Sequence, residues 1–197
     1  MNKMRSETIN YYNENAKEFC AGTINADMSV YRSKFIAFLE QGARILDAGC
    51  GSGRDSKVFL NMGYDVVSMD ASIEVGKEAE SYLERPVLCK AFEEVDFKNE
   101  FDGIWACASL LHVSRKEIDF VLDKLSAALK DKGVMYVSFK YGEDERNKSG
   151  RFFSDYTEET LTNVLRKHNF KIEEIFTSFD VRKDRESEKW VNAIVRK

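Results

Sequence analysis

A parallel, doubly wound α/β sheet with helices on both faces is the fold this chain predicts, and three observations predict it. Short apolar runs rich in β-branched residues alternate with segments of helical period from Arg44 to the end, the pattern of consecutive strand–helix units. A glycine-rich turn, Gly49-Cys50-Gly51-Ser52-Gly53, stands where the first of these strands passes into a helix. At 197 residues, 43% apolar and 32% charged, the chain is long enough to bury the core of one such domain and short for two. Residues 1–197 therefore read as a single domain, helical over 1–40 and α/β over 41–197, with one proline, Pro86, and no repeat or linker-like tract.

The first forty residues read as two helices. Tyr31, Phe35, Phe38 and Leu39 recur at helical spacing in the second, and Gly42 is placed to end it. Arg44–Ala48 is a short strand entering the glycine turn. Val58, Phe59 and Met62 line one face of the next helix, which Gly63 closes. Asp65–Asp70 is a second strand centred on Val66-Val67, and Ser72 caps a helix with Val75, Ala79, Tyr82 and Leu83 on its apolar face. Strands follow at 87–89 and 103–107. Ser114-Arg115-Lys116-Glu117 reads as a capping box for a helix burying Ile118, Val121, Leu122, Leu125 and Leu129. A fifth strand spans 134–139, Thr157 starts a helix carrying Leu161, Val164 and Leu165, and two strands at 171–178 and 190–195 end the chain.

Composition narrows the function classes. A formal net charge of −4 argues against nucleic-acid binding by bulk electrostatics, because phosphate contacts need clustered Lys and Arg. Cys20, Cys50, Cys89 and Cys107 form no CxxC, and His112 and His168 are the only histidines, so no metal-ligand spacing is present. Met1 to Glu7 hold no apolar signal core, and no apolar run approaches ~18 residues, which predicts a cytoplasmic protein with reduced thiols and no membrane partner.

Ligands of doubly wound sheets bind outside the carboxyl ends of the strands, so the loops that follow strands carry the functional reading. After the first strand, glycines allow positive φ and let a ligand approach the backbone, and the helix beyond offers free N–H groups. A dinucleotide loop would read GxGxxG, but the position three after Gly51 is Arg54. Asp47, two residues before Gly49, would repel a pyrophosphate, yet it suits a ligand with an ammonium beside its carboxylate. S-adenosylmethionine is such a ligand. Asp70, nineteen residues beyond Gly51, ends the second strand, where a carboxylate can accept hydrogen bonds from both ribose hydroxyls.

The segment ILDAGCGSGRDS followed by GYDVVSMDAS resembles the nucleotide-binding core of class I S-adenosylmethionine-dependent methyltransferases, most closely the branch holding TehB-type and other small-molecule enzymes. The resemblance spans roughly residues 40–140. It implies a Rossmann-like, seven-stranded sheet in the order 3-2-1-4-5-7-6 with the last strand antiparallel, and an N-terminal helical lid. It implies that Asp47, Gly49 and Gly51 hold the methionine end and that Asp70 holds the ribose. Cys50, Arg54, Ala71 and Ala106 complete the expected cofactor lining. The 91–94 loop, with Phe92 and Glu93, would flank adenine; Ala91 stands where many relatives place an Asp, and Phe92 reads equally as a stacking residue or as core filler.

Methyl transfer depends chiefly on holding the nucleophile in line with the methyl carbon, and a general base is needed only when the nucleophile arrives protonated. The loop after the fourth strand, 106–112, lacks the Asn/Asp-Pro-Pro-aromatic arrangement of amino-methylating nucleic-acid enzymes. His112 is its one side chain able to take a proton near neutral pH, with packing as the competing role. Cys107 reads as a buried small apolar residue. Tyr12 lies in a segment resembling the lid, where its ring could cover the sulfonium, with core packing as the alternative. Two loops, 140–153 and 180–189, should overhang the pocket as solvated segments. There Arg151, Arg182 and Arg185 could clamp an anionic small substrate. The expected activity is methyl transfer to a small molecule; transfer to RNA or protein, or cofactor binding without catalysis, are the alternatives.

Overall fold

The computed structural model describes residues 3–183 and 185–197. Three helices, α1 (Lys3–Glu14), α2 (Ala16–Thr23) and α3 (Ser29–Ile36), precede β1 (Arg44–Ala48), α4 (Arg54–Asn61), β2 (Asp65–Asp70), α5 (Ile73–Leu83) and β3 (Leu88–Cys89). Then come β4 (Phe101–Ala106), α6 (Ile118–Ala128), β5 (Leu129–Lys140), β6 (Glu145–Lys148), β7 (Arg151–Ser154), α7 (Glu158–Lys167), β8 (Lys171–Phe179) and β9 (Lys189–Arg196). The principal sheet has the order β3-β2-β1-β4-β5-β9-β8, and β9 runs antiparallel between β5 and β8. Counting only the strands of this sheet, that is the expected order with the expected reversed strand.

Period-two alternation sorts the central strands onto two faces. Leu46, Ile104 and Met135 join an aliphatic core with Val121, Leu122 and Leu125 of α6 and Leu161 and Leu165 of α7. Their neighbours Ile45, Trp105 and Tyr136 face the other way, into an aromatic core with Phe35 of α3 and Phe59 of α4. There the Trp105 and Tyr136 rings stack 4.1 Å apart, and Phe35 and Phe59 meet Trp105 at 5.3 and 5.6 Å. Both faces are dry, as a parallel sheet requires.

Four local expectations change. The N-terminal region holds three helices, because the chain leaves helical geometry at Asn15 and again before Ser29, whose amide bonds the Asp27 carboxylate. The third strand begins at Leu88. Ser114 does not cap α6: its hydroxyl donates to the Glu117 carboxylate at 2.7 Å, and a turn places the helix start at Ile118. The segment read as a solvated loop folds as the β6–β7 hairpin, turning at Ser149-Gly150 with positive φ at both positions. Ser72 and Thr157 do cap their helices, accepting bonds from the amides of Val75 and Thr160.

Candidate active site

Asp47 sits near the end of β1, buried, where its carboxylate accepts a 2.6 Å bond from the Ser56 hydroxyl. Burial, reinforced by the nearby Asp55 carboxylate, pushes its pKa up to about 7. The turn beyond it depends on glycine: Gly49 has φ +82°, and a Cβ there would stand 2.5 Å from the Ser109 Cβ. The Gly49 and Cys50 amides bond the Met69 carbonyl at 2.8 and 2.9 Å, which ties the turn to β2. Asp70 receives the Gly51 amide on one oxygen and the Ser72 amide on the other, at 3.0 and 2.9 Å. Burial raises its pKa against the pull of these donors.

Arg54 and Asp55 open α4, and their side chains answer mainly to the protein. Asp55 accepts from Arg32 at 2.6 Å, from Arg54 at 2.6 and 3.1 Å, and from the Trp105 indole at 3.0 Å. Burial works to raise the Asp55 pKa, but Arg54 and Arg32 outweigh it and the net direction is down. Arg54 also donates to the Thr23 carbonyl, so the guanidinium expected to meet a cofactor is committed to bracing α2, α3 and α4 at the cavity wall.

A cavity of about 680 Å³ opens above the carboxyl ends of β1, β4 and β5, within the usual range for small-molecule sites. Asp47, Gly49, Cys50, Gly51, Arg54, Asp70 and Ala71 all line it, as do Phe92 and Glu93. Ala106 does not. It is fully buried in the aliphatic core, on the same face as Ile104, and the cavity wall begins one residue later at Cys107. Glu93 pairs with Arg5 of α1 at 2.6 Å and keeps its second carboxylate oxygen buried without a partner. Burial pushes the Cys107 thiol up to about 12, in keeping with an inert wall residue.

The N-terminal helices cover this space. Tyr12 lines the cavity, edge-on to Phe19 at 4.9 Å, and Phe19 lies 3.4 Å from where a Gly51 Cβ would stand. Sequence reading missed Phe19, although it follows Tyr12 at a helical spacing. The Tyr12 hydroxyl meets His112 Nε2 at 2.9 Å, and His112 Nδ1 meets the Phe152 carbonyl of β7 at 2.6 Å. A carbonyl only accepts, so Nδ1 carries the hydrogen and Nε2 presents a lone pair to the Tyr12 O–H. Burial drives the His112 pKa down to about 4, keeping the ring neutral.

Both predicted overhanging segments reach the cavity, with different electrostatics. Asp180 chelates Arg182 at 2.9 and 2.6 Å and accepts from the Trp190 indole at 3.3 Å. Burial alone would raise the Asp180 pKa, yet Arg182 brings it down to about 2. Lys140 pairs with Glu188 and sits 3.9 Å over the Trp190 ring. Arg182 is thus already neutralised by Asp180, and Arg185 is exposed on the rim. Arg151 differs. Its guanidinium lies 4.5 Å over the Tyr11 ring, no carboxylate among the described residues pairs with it, and its Nε is buried without a partner. Among the described residues, no group of acidic, His or Cys side chains could hold a metal ion, and no helix is long and apolar enough to cross a membrane.

Residues 45–133, just under half of the chain, match the family model described as a methyltransferase domain. Over that span the chain is similar to methyltransferase domains. A ubiquinone biosynthesis O-methyltransferase of Nitrobacter winogradskyi is 32% identical to it over 102 residues, covering 49% of this chain and 38% of the relative. This chain spans less than half the length of the curated relatives it matches. Among solved structures, the domain resembles the 1,6-didemethyltoxoflavin-N1-methyltransferase of Burkholderia thailandensis, with a TM-score of 0.78 and 24% identity, covering 98% of this chain and 86% of that one. A TehB-like S-adenosylmethionine-dependent methyltransferase of Corynebacterium glutamicum has a TM-score of 0.70 at 20% identity, covering 96% and 97%.

Proposed function

We propose that this protein transfers a methyl group from S-adenosylmethionine to a small-molecule acceptor, residues 1–197 acting as one catalytic unit with 1–40 as its lid. The observation that carries the reading is a pair of carboxylates, Asp47 buried and Asp70 half-buried, flanking an open glycine turn inside one cavity. Asp47 suits the cofactor's ammonium, and its raised pKa marks a buried carboxylate awaiting a cation. Asp70 has oxygen lone pairs left for two ribose hydroxyls after serving the Gly51 and Ser72 amides. Phe92 lies against the turn, 3.6 Å from where a Gly49 Cβ would stand, and suits the adenine ring. Tyr12 and Phe19 offer π faces to a sulfonium.

Bound there, the cofactor supplies an electrophilic methyl group. The protein's part is to orient an acceptor for in-line displacement and to exclude water, an orientation effect worth several kcal/mol. A small acceptor is favoured by the cavity's cover of α1 and the β6–β7 hairpin, and by relatives named for ubiquinone biosynthesis and for 1,6-didemethyltoxoflavin. A cytoplasmic setting suits the four free thiols. The test is incubation with methyl-labelled S-adenosylmethionine and a metabolite extract. Label should enter a low-molecular-weight product with the intact protein and not with Asp70→Ala; label appearing only in RNA or protein would overturn the small-molecule reading.

A further inference from the structure

We propose that Arg151, Tyr12 and His112 form the acceptor subsite, and that it takes a small planar molecule whose acidic O–H or N–H stands beside an anionic group. The inference rests on the methyl-transfer reading above and adds the acceptor's chemistry to it. Four observations converge on it. His112 is fixed as the tautomer whose Nε2 lone pair is available, because Nδ1–H is held by the Phe152 carbonyl at 2.6 Å. The donor now on Nε2 is the Tyr12 phenol, an acidic O–H on an aromatic ring, 2.9 Å away; it shows by example what the site accepts.

Arg151 precedes Phe152 on β7, so one strand places both the guanidinium and the carbonyl that orients His112. Of the cavity's cations, Lys140, Arg146 and Arg182 are already paired with Glu188, Asp155 and Asp180. Arg151 has no carboxylate partner among the described residues: it lies over the rings of Tyr11, Tyr12 and Phe153 at 4.5, 6.0 and 5.4 Å and beside the Tyr12 hydroxyl, and its Nε has no partner. Lys148, Arg185 and Lys189 also line the cavity without an ion pair among the described residues, but Arg151 is the one that shares β7 with the carbonyl orienting His112, so an anion held there stands beside that ring. Tyr12 and Phe153 line the cavity against both Arg151 and His112, and their rings favour a flat acceptor.

An acceptor O–H or N–H replaces the Tyr12 hydroxyl as donor to Nε2. When the X–H bond breaks, its electron pair stays on X and the proton bonds Nε2, giving an imidazolium. The acceptor's own anionic group, held by Arg151, compensates the charge that would otherwise be costly in this buried place.

Salicylate serves as the probe, with phenol and benzoate as partial mimics, titrated calorimetrically into the protein saturated with S-adenosylhomocysteine. Binding of S-adenosylhomocysteine by the wild type is measured first and reports on the underlying reading alone. Salicylate should bind, Arg151→Gln should weaken it on the order of tenfold while changing phenol by less than about twofold, and Arg151→Lys should recover part of the loss. With only two histidines in the chain, ¹⁵N spectra resolve His112 against His168. Salicylate and phenol should shift the His112 Nε2 resonance, and benzoate should not. The proposal fails if S-adenosylhomocysteine binds yet salicylate does not, if Arg151→Gln leaves salicylate affinity unchanged, or if Nε2 is unmoved at saturation.

Discussion

Asp47 shows how one side chain links folding, pH and ligand binding. Its pKa stands raised from 3.8 to about 7, by burial first and the Asp55 charge second. Between those values the folded chain holds a proton that the unfolded chain has lost, so this group's contribution to stability falls as pH rises through that window. A cationic ammonium beside Asp47 favours the ionised form, so binding expels the proton. Affinity for S-adenosylhomocysteine should therefore rise with pH up to roughly 7 and then level off. Titrations at pH 6.5 in buffers of different ionisation heat should report proton release, and Asp47→Asn should abolish both effects. A pH-independent affinity in the wild type would count against the assignment.

At the scale of elements, the helices are tied to the sheet by buried charge as well as by apolar packing. Arg32 of α3 and Arg54 of α4 share Asp55, and the Trp105 indole of β4 completes the cluster. Removing the shared anion leaves two guanidinium groups facing each other in a dry place. Asp55→Asn should cost about 3–5 kcal/mol in urea unfolding, where a loss below about 1 kcal/mol would mean the cluster relaxes into water. This element was only half legible beforehand. The carboxylate–glycine–carboxylate spacing of Asp47, Gly49, Gly51 and Asp70 could be read because a tight turn and two hydrogen-bonding strand ends restrict residue types locally. Two of the Asp55 partners could not, since Arg32 and Trp105 lie far away in the chain. The β6–β7 hairpin was hidden for a related reason: Glu145-Arg146-Asn147-Lys148 is polar throughout and shows no alternation. Ala106 was misplaced by one residue, which in a strand means the opposite face. The Tyr12–His112 bond joins residues 100 apart, beyond any local pattern.

Across the whole molecule, one arrangement accounts for the sheet, the N-terminal helices and the cavity together. Strand order was readable through its resemblance to a known family, and the sheet's two cores follow from period-two alternation in β1, β4 and β5. The proposed acceptor subsite depends on three distant segments meeting: α1, the loop after β4, and the hairpin. All of it presumes that the cavity holds S-adenosylmethionine and not a dinucleotide. Isothermal calorimetry of the full chain with S-adenosylhomocysteine and with NAD, for wild type and Asp70→Asn, tests that presumption directly. The account predicts micromolar or tighter binding of S-adenosylhomocysteine, weakened on the order of tenfold or more by Asp70→Asn, with no heat from NAD. Binding of NAD in place of S-adenosylhomocysteine, or no binding of S-adenosylhomocysteine at millimolar concentration, would contradict it.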